Sequence, residues 1–211
     1  MHYLCSLYLW ITRNPLDVIV YCDNSRISMD YDPLVRFAEQ HNKTLEILSF
    51  DGNREAQIYG KGYGEGRILE HVLNHSKWIQ GRTIIYKITG RLFVENFQEI
   101  RAVHAQDENV YAERDTRFFK TEASFFKDVL VDKYKEVNDP QVMYLEHVYD
   151  KYLAPVMNSK VKRFSIEPKI VGRSATIHNL VYHRDYDDAT ITSARALFAL
   201  LATQGLLTQP Q

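Results

Sequence analysis

Cysteine, excess positive charge and long apolar runs are all scarce in this chain of 211 residues. Its two cysteines, Cys5 and Cys22, form no CxxC pair, so neither a disulfide framework nor a zinc site is indicated, and a reducing, cytoplasmic compartment fits best. The 26 Lys and Arg residues against 27 Asp and Glu disfavour a general binder of nucleic acid or of membrane surfaces. We therefore expect one globular domain over 1–211, without a nucleic-acid partner.

The longest apolar run near the start of the chain is YLCSLYLWI, at Tyr3–Ile11. It is too short to cross a bilayer, which takes about 20 residues, and no basic region precedes it. The run predicts a buried β-strand.

From residue 16 onward, apolar runs alternate with helical patterns. Strands are predicted over Leu16–Asp23, Thr44–Phe50 and Arg82–Val94, and helices begin near Asp32, Arg67, Asn96, Thr121, Asp139 and Ala189. This alternation predicts an α/β fold, a single Rossmann-like domain with a mostly parallel central sheet flanked by helices. In such sheets, ligands bind at the carboxyl ends of the strands.

The stretch GKGYGEG, Gly60–Gly66, has four glycines in seven residues and leads into a predicted helix. Glycines just before a helix let backbone N–H groups approach a phosphate, and Lys61 adds positive charge. The stretch matches neither GxxxxGK[ST] nor GxGxxG, and Glu65 would oppose an anion there. A ligand-facing loop and a flexible linker both remain open.

Three short patterns have the residue types of metal sites. DYD triplets occur at 30–32 and 185–187, and His71 and His75 are four residues apart. Helix capping is the better interpretation of the triplets, and surface exposure that of the histidines, since no third ligand is visible. We assign no metal ligand, and a divalent metal (Mn²⁺ or Mg²⁺) stays open.

Glu146 stands out on the helix predicted from Asp139 to about Leu153. At about 100° per residue it falls within about 70° of the centre of the apolar face. A carboxylate at the margin of a buried face needs a partner or a task. A salt bridge with a lysine or arginine and a catalytic role are both open.

Several segments together resemble small glycosyltransferases of bacterial surface-polysaccharide gene clusters. These segments are KGYGEGRILEHVLNHSKWI, IIYKITGRLFVEN, DTRFFKT with SFFKDVL, and MYLEHVYDKYL, within Asp17–Leu153. The resemblance implies a GT-A-like, Rossmann-related domain and a nucleotide-sugar donor. It also implies a glycan or lipid-linked acceptor and a role in O-antigen or capsule synthesis. Peripheral membrane contact is left open, without a basic amphipathic helix to support it.

The resemblance also implies roles for individual residues. Glu146 would be the general base of an inverting transfer, and Asp115 and Arg117 would contact acceptor or donor. The standard DxD is missing, so Lys87 or Arg91 would neutralise the leaving phosphate. The donor-binding set is Thr12, Arg13, Asn14, Asp23, Asn24, Lys61, Gly62, Gly64, Glu65, Lys87, Thr89, Gly90 and Arg91. The alternatives are a nucleotidyltransferase and a non-catalytic nucleotide-binding α/β protein.

Overall fold

The computed structural model describes residues 1–25, 30–174 and 180–203. The helices are α1 (His2–Arg13), α2 (Asp32–Gln40), α3 (Asn53–Tyr59), α4 (Lys61–His75), α5 (Phe97–Val103), α6 (Ala123–Val129), α7 (Leu145–Leu153) and α8 (Asp188–Thr203). The strands are β1 (Val18–Asp23), β2 (Thr44–Ser49), β3 (Ile84–Ile88), β4 (Phe93–Val94), β5 (Val110–Ala112), β6 (Asp115–Glu122), β7 (Lys162–Arg163) and β8 (Ile170–Val171). Three 3-10 turns cover Lys133–Glu136, Asp139–Gln141 and Ala154–Val156.

The strands form a parallel β1–β2 pair, an antiparallel β4–β8 pair and a four-stranded sheet in the order β3-β6-β5-β7. In the four-stranded sheet, β6 is antiparallel to β3 and β5, and only β7 runs parallel to its neighbour. The α/β class is confirmed, but the prediction of a mostly parallel sheet is wrong. The reason is local: Ala112 pairs with Asp115 across a tight turn, and a hairpin connection makes strands antiparallel.

The four-stranded sheet separates two hydrophobic cores, because adjacent side chains on β6 point to opposite faces. Phe118 packs with Trp10 of α1 and Phe97 of α5, whereas Phe119 packs with Phe126 of α6 and Tyr149 of α7. A third cluster joins α1, α2, β2 and α8 through Leu7, Ile11, Leu34, Ala38, Leu45 and Leu197.

The predicted N-terminal strand is wrong, because this run forms helix α1. The helix buries two sides at once: Leu9 lies in the core of the large sheet and Leu7 in the third cluster. One helical turn apart, Ser6 Oγ and Trp10 Nε1 both donate hydrogen bonds to the carbonyl oxygen of Leu92, at 2.7 and 3.0 Å. A helix that is buried on two sides has a continuous apolar sequence. Hydrophobic periodicity cannot distinguish such a helix from a buried strand. Within the described ranges, no helix is long and apolar enough to cross a membrane.

The segment predicted as one strand over Arg82–Val94 is divided into β3 and β4. The amide of Leu92 donates to the carbonyl of Thr89 at 2.8 Å, which closes a turn between the two strands. Gly90 lies in this turn, where an added Cβ would come within 3.3 Å of the Tyr3 ring. The turn places Thr89 and Gly90 directly after the carboxyl end of β3.

The helix predicted to run from Asp139 to Leu153 is also interrupted. Asp139–Gln141 form a 3-10 turn, Val142 takes a left-handed conformation (φ 61°), and α7 begins only at Leu145. The helix predicted from Arg67 begins six residues earlier, at Lys61, and β1, β2, α2, α5, α6 and α8 lie within a few residues of their predicted positions.

Candidate functional site

Lys87 is the centre of a polar cluster on the α7 side of the large sheet. It stands opposite Phe119 in the β3–β6 ladder, and its side chain is only 8% exposed. Its ammonium donates hydrogen bonds to Glu65 Oε1, to Thr89 Oγ1 at 3.2 Å and to the carbonyl oxygen of Thr116. An ammonium has three N–H donors, so all of them are used.

Glu146 joins this cluster from the first turn of α7, where the helix dipole favours a carboxylate. Its Oε1 accepts a hydrogen bond from Thr116 Oγ1 at 3.0 Å. Among the described residues, no lysine or arginine forms an ion pair with it. The salt-bridge alternative for Glu146 is therefore wrong for this part of the chain, and its partner is a buried hydroxyl.

Thr116 belongs to the site although the sequence did not indicate it. It is 4% exposed and bonds Lys87 through its carbonyl and Glu146 through its hydroxyl. The pairing of β5 with β6 shifts register between Tyr111 and Ala112. Such an irregularity changes the direction of side chains, so simple alternation along DTRFFK cannot assign Thr116 to a face.

Three glycines of GKGYGEG, Gly62, Gly64 and Gly66, lie inside helix α4, not before it as predicted, and Gly60 is the residue that precedes the helix. The helix begins at Lys61, and three glycines face neighbouring elements at close range. An added Cβ would lie 3.0 Å from Leu145 Cβ at Gly62, 2.9 Å from Ala56 Cβ at Gly64 and 2.0 Å from Tyr134 Cβ at Gly66. The absence of side chains at these positions lets α4 pack closely on α7, α3 and the 3-10 turn at 133–136.

An internal carboxylate occupies the N-terminus of α4. Asp139 Oδ2 accepts a hydrogen bond from the Gly62 amide at 3.3 Å, and Lys61 at the helix start is exposed. Gly60 has φ 106°, and an added Cβ there would lie 2.1 Å from the Asp139 carboxylate. The position where a phosphate would meet the helix dipole is thus filled by Asp139 in this structure.

The close packing of α4 brings several of the predicted site residues together. Gly64 lies beside Asn24, whose Nδ2 is 3.5 Å from the Cβ position, and the next residue, Glu65, bonds Lys87. Gly62 contacts Leu145, the residue before Glu146. Glu65, Lys87, Thr89 and Glu146 therefore converge from α4, the end of β3 and α7, and Asn24 lies beside α4 at Gly64.

Thr12 and Asn14 have local partners at the end of α1. Thr12 Oγ1 donates to the carbonyl of Tyr8 at 2.7 Å. Asn14 Nδ2 donates to the carbonyl of Trp10 at 2.9 Å, and Asn14 Oδ1 accepts from the amide of Leu16 at 2.7 Å. These bonds terminate the helix and order the connection to β1.

Asp23 and Arg91 also have partners outside the cluster. Asp23 Oδ2 accepts hydrogen bonds from the amide and the hydroxyl of Ser25, at 3.2 and 2.5 Å, as in the turn that often follows a strand. Arg91 Nε donates to the carbonyl of Arg173 at 3.2 Å.

Asp115 and Arg117 form a pair beside the cluster. Arg117 Nε lies 2.9 Å from Asp115 Oδ1, and its guanidinium lies 4.3 Å above the ring of Tyr182. The hydrogen bonds to Asp115 raise the pKa of Arg117. The carbonyl of Arg117 accepts from the Thr89 amide at 2.9 Å, so the pair adjoins the carboxyl end of β3.

A surface cavity of about 300 Å³ lies away from this cluster. It is lined by Arg13, Asn14, residues 93–99 and Arg184. Its Phe97 packs with Phe118, on the sheet face opposite to Phe119 and Lys87. Arg13 and Asn14 are therefore not brought together with Lys87.

The candidate metal patterns have structural partners. Asp30 Oδ1 accepts from the amide of residue 32 at 2.9 Å, and Asp187 Oδ1 accepts from the Thr190 amide at 2.7 Å, at the start of α8. The rings of His71 and His75 stack 4.0 Å apart, and burial lowers the pKa of His71. Within the described ranges, no group of three or more His, Cys, Asp or Glu side chains is placed to hold a metal.

One group of side chains is arranged in space like a nucleophile, a base and an acid: Ser165, His104 and Asp107. His104 Nδ1 lies 2.8 Å from Asp107 Oδ2, and its Nε2 lies 3.2 Å from Ser165 Oγ. The amide of Ser165 also donates to the same Nε2 at 3.2 Å, and Lys120 Nζ donates to the carbonyl of His104. Because His104 Nε2 accepts a hydrogen bond from a backbone amide, the imidazole holds the loop at Ser165 in place. We therefore interpret these three residues as structural.

Tyr149 is a buried polar group next to the cluster. Its hydroxyl has no hydrogen-bond partner among the described residues. Burial, and then the negative charge of Glu65, raise the pKa of Tyr149 well above its ordinary value, with a further contribution from Glu146. This hydroxyl therefore stays neutral in the field of both carboxylates.

Comparison of the chain with protein-family models, with curated proteins and with solved structures finds no match.

Proposed function

We propose that the chain is a cytoplasmic glycosyltransferase with a GT-A-like domain. It would move a sugar from a nucleotide-sugar donor to a glycan or lipid-linked acceptor in bacterial surface-polysaccharide synthesis. The observation that carries the proposal is the shared contact of Lys87 and Glu146 with Thr116. Lys87 and Glu146 thus contact the same residue at the edge of the sheet, next to Glu65 and Thr89, and Glu146 forms no ion pair within the described ranges.

The chemistry assigned to this pair is an inverting transfer. Glu146 takes the proton of the acceptor hydroxyl while the acceptor oxygen bonds to the anomeric carbon of the donor sugar. The bond from that carbon to the nucleotide phosphate breaks, and the phosphate leaves with the electron pair. Lys87 neutralises the negative charge that develops on the leaving oxygen, a role that hydrogen-bond donors in a dry site perform well.

Lys87 needs an exchange of partners to take this role. Its three N–H groups already have three acceptors, and only one of these, Glu65, is an anion. A phosphate that replaces Glu65 keeps both the charge and the number of hydrogen bonds constant. Glu65 is 26% exposed, so solvent and a donor can reach it.

The test is Glu146→Gln compared with Glu99→Gln, a control on the exposed side of α5. Nucleotide release and product formation are measured with a panel of UDP-, GDP-, CMP- and dTDP-sugars, with and without Mn²⁺. We expect Glu146→Gln to lower turnover by about 10²- to 10⁴-fold. Nucleotide affinity, measured by thermal shift, should stay unchanged.

The outcomes separate the alternatives. Retained turnover in Glu146→Gln removes the base assignment. Nucleotide binding by the wild type without consumption of any donor favours a non-catalytic binding protein. A rise in melting temperature with nucleotide that requires Mn²⁺ points to metal-binding carboxylates outside this cluster and favours a nucleotidyltransferase.

A further inference from the structure

The carboxylate of Glu146 is held through one of its oxygens only. Oε1 accepts the hydroxyl of Thr116, and Oε2 accepts no hydrogen bond from any described residue. Thr116 is 4% exposed, so its hydroxyl has no competing contact with bulk solvent. One oxygen is therefore fixed and the other remains available to a ligand.

The same residue also restrains Lys87. The carbonyl of Thr116 accepts from the Lys87 ammonium, so the backbone of one buried residue sets the spacing between the cation and the carboxylate. The register shift between β5 and β6 gives this residue its direction toward α7.

We infer that Thr116 is a positioning residue, which orients Glu146 so that Oε2 meets the acceptor hydroxyl. This inference rests on the proposed glycosyl transfer. A hydroxyl that donates a hydrogen bond to a carboxylate restricts the rotamer of that carboxylate. Loss of the hydroxyl leaves Glu146 in place but without a defined direction, so it affects turnover more than substrate binding.

The experiment compares Thr116→Val, Thr116→Ser and Thr121→Val. Valine keeps the shape of threonine and the backbone carbonyl contact to Lys87. Thr121 is the matched control because it lies on the same strand, is fully buried and donates to Asn109 Oδ1 at 2.8 Å. We expect Thr116→Val to lower kcat at least about tenfold with KM nearly unchanged. Thr116→Ser, which keeps the hydroxyl, should restore most of the turnover.

Two results overturn the inference. The first is a kcat for Thr116→Val no lower than that of Thr121→Val. The second is that Thr116→Val lowers kcat by the same factor in the Glu146→Gln variant as in wild type. A residue that acts through Glu146 should have no effect on kcat once the base is gone.

Failure of the proposed function is recognised separately. If wild type consumes no donor, the transfer is refuted, and a double-mutant cycle of unfolding with Thr116→Val and Glu146→Ala then tests the contact itself. Non-additive unfolding free energies support the positioning contact, and additive values reject it.

Discussion

Replacement of Gly66 by alanine tests whether the glycines of α4 serve packing. In the middle of an exposed helix this change stabilises a protein by about 1 kcal/mol, since alanine is the better helix former. At Gly66 the new Cβ would lie 2.0 Å from Tyr134 Cβ. We therefore expect the opposite sign, a loss of stability.

The magnitude follows from the neighbours of Gly66. Relief of the overlap must separate α4 from the turn at 133–136, and overpacking of this kind costs about 3 kcal/mol at its upper end. Movement of Tyr134 also stretches its hydroxyl bond to Glu70 Oε2, now 2.6 Å, which contributes about 1 kcal/mol or more. After the gain in helix propensity, we expect a net loss of about 3 kcal/mol.

The assay is guanidinium unfolding followed by far-UV circular dichroism and by tryptophan fluorescence. Asn74→Ala is the matched control, because Asn74 is exposed on the same helix and alanine costs no packing there. We expect the denaturation midpoint of Gly66→Ala to fall with an unchanged slope, and the control to stay near wild type. A Gly66→Ala protein as stable as wild type, but unable to bind nucleotide, would refute the packing explanation and restore the ligand-loop interpretation.

Three further predictions concern other parts of the structure. Asp139→Ala removes the carboxylate that caps the Gly62 amide, so the unfolding free energy should fall by about 1 kcal/mol; an unchanged value in denaturant titration contradicts the capping role. The hydrogen bond from Arg184 lowers the pKa of Glu95, so this carboxylate stabilises the fold above its unfolded pKa and the contribution disappears as the pH falls. Glu95→Gln should cost less than about 1 kcal/mol at pH 7 and a smaller amount in acid, as the pH falls through the lowered pKa, and equal costs at both pH values in parallel melts reject this linkage. Burial raises the pKa of the Cys22 thiol to about 12, so iodoacetamide at pH 8 should leave it unmodified in the native protein by mass spectrometry, and rapid alkylation contradicts this.

The elements that were predicted correctly have strong local signals. The β-branched run before Asp23 forms β1, and α2 begins at Asp32 with Pro33 in its first turn, although the N-cap position is Tyr31 and not Asp32 as predicted. Errors arose where local and tertiary preferences differ. Helix α1 has an apolar surface on two sides, and the segment after Asp139 is broken by Val142 in a left-handed conformation.

The candidate site also contains residues that could be named in advance and residues that depend on tertiary contacts. Glu146 was named from its helix position, and Lys87 and Glu65 from the resemblance to glycosyltransferases, and the structure brings the three into one cluster. Thr116 was not named, because its direction depends on a register shift between two strands. Arg13 was named, but it lies at a cavity on the other face of the sheet.

Local sequence patterns were enough to predict the α/β class, several element positions and the residue types available for chemistry, because these depend on contacts within a few residues. The mixed strand directions, the role of the glycines in α4 and the partners of Lys87 became visible only in the folded chain. Those features depend on contacts between segments far apart in the chain. A one-residue change in strand register or helix start redirects every side chain that follows, and no local pattern records it.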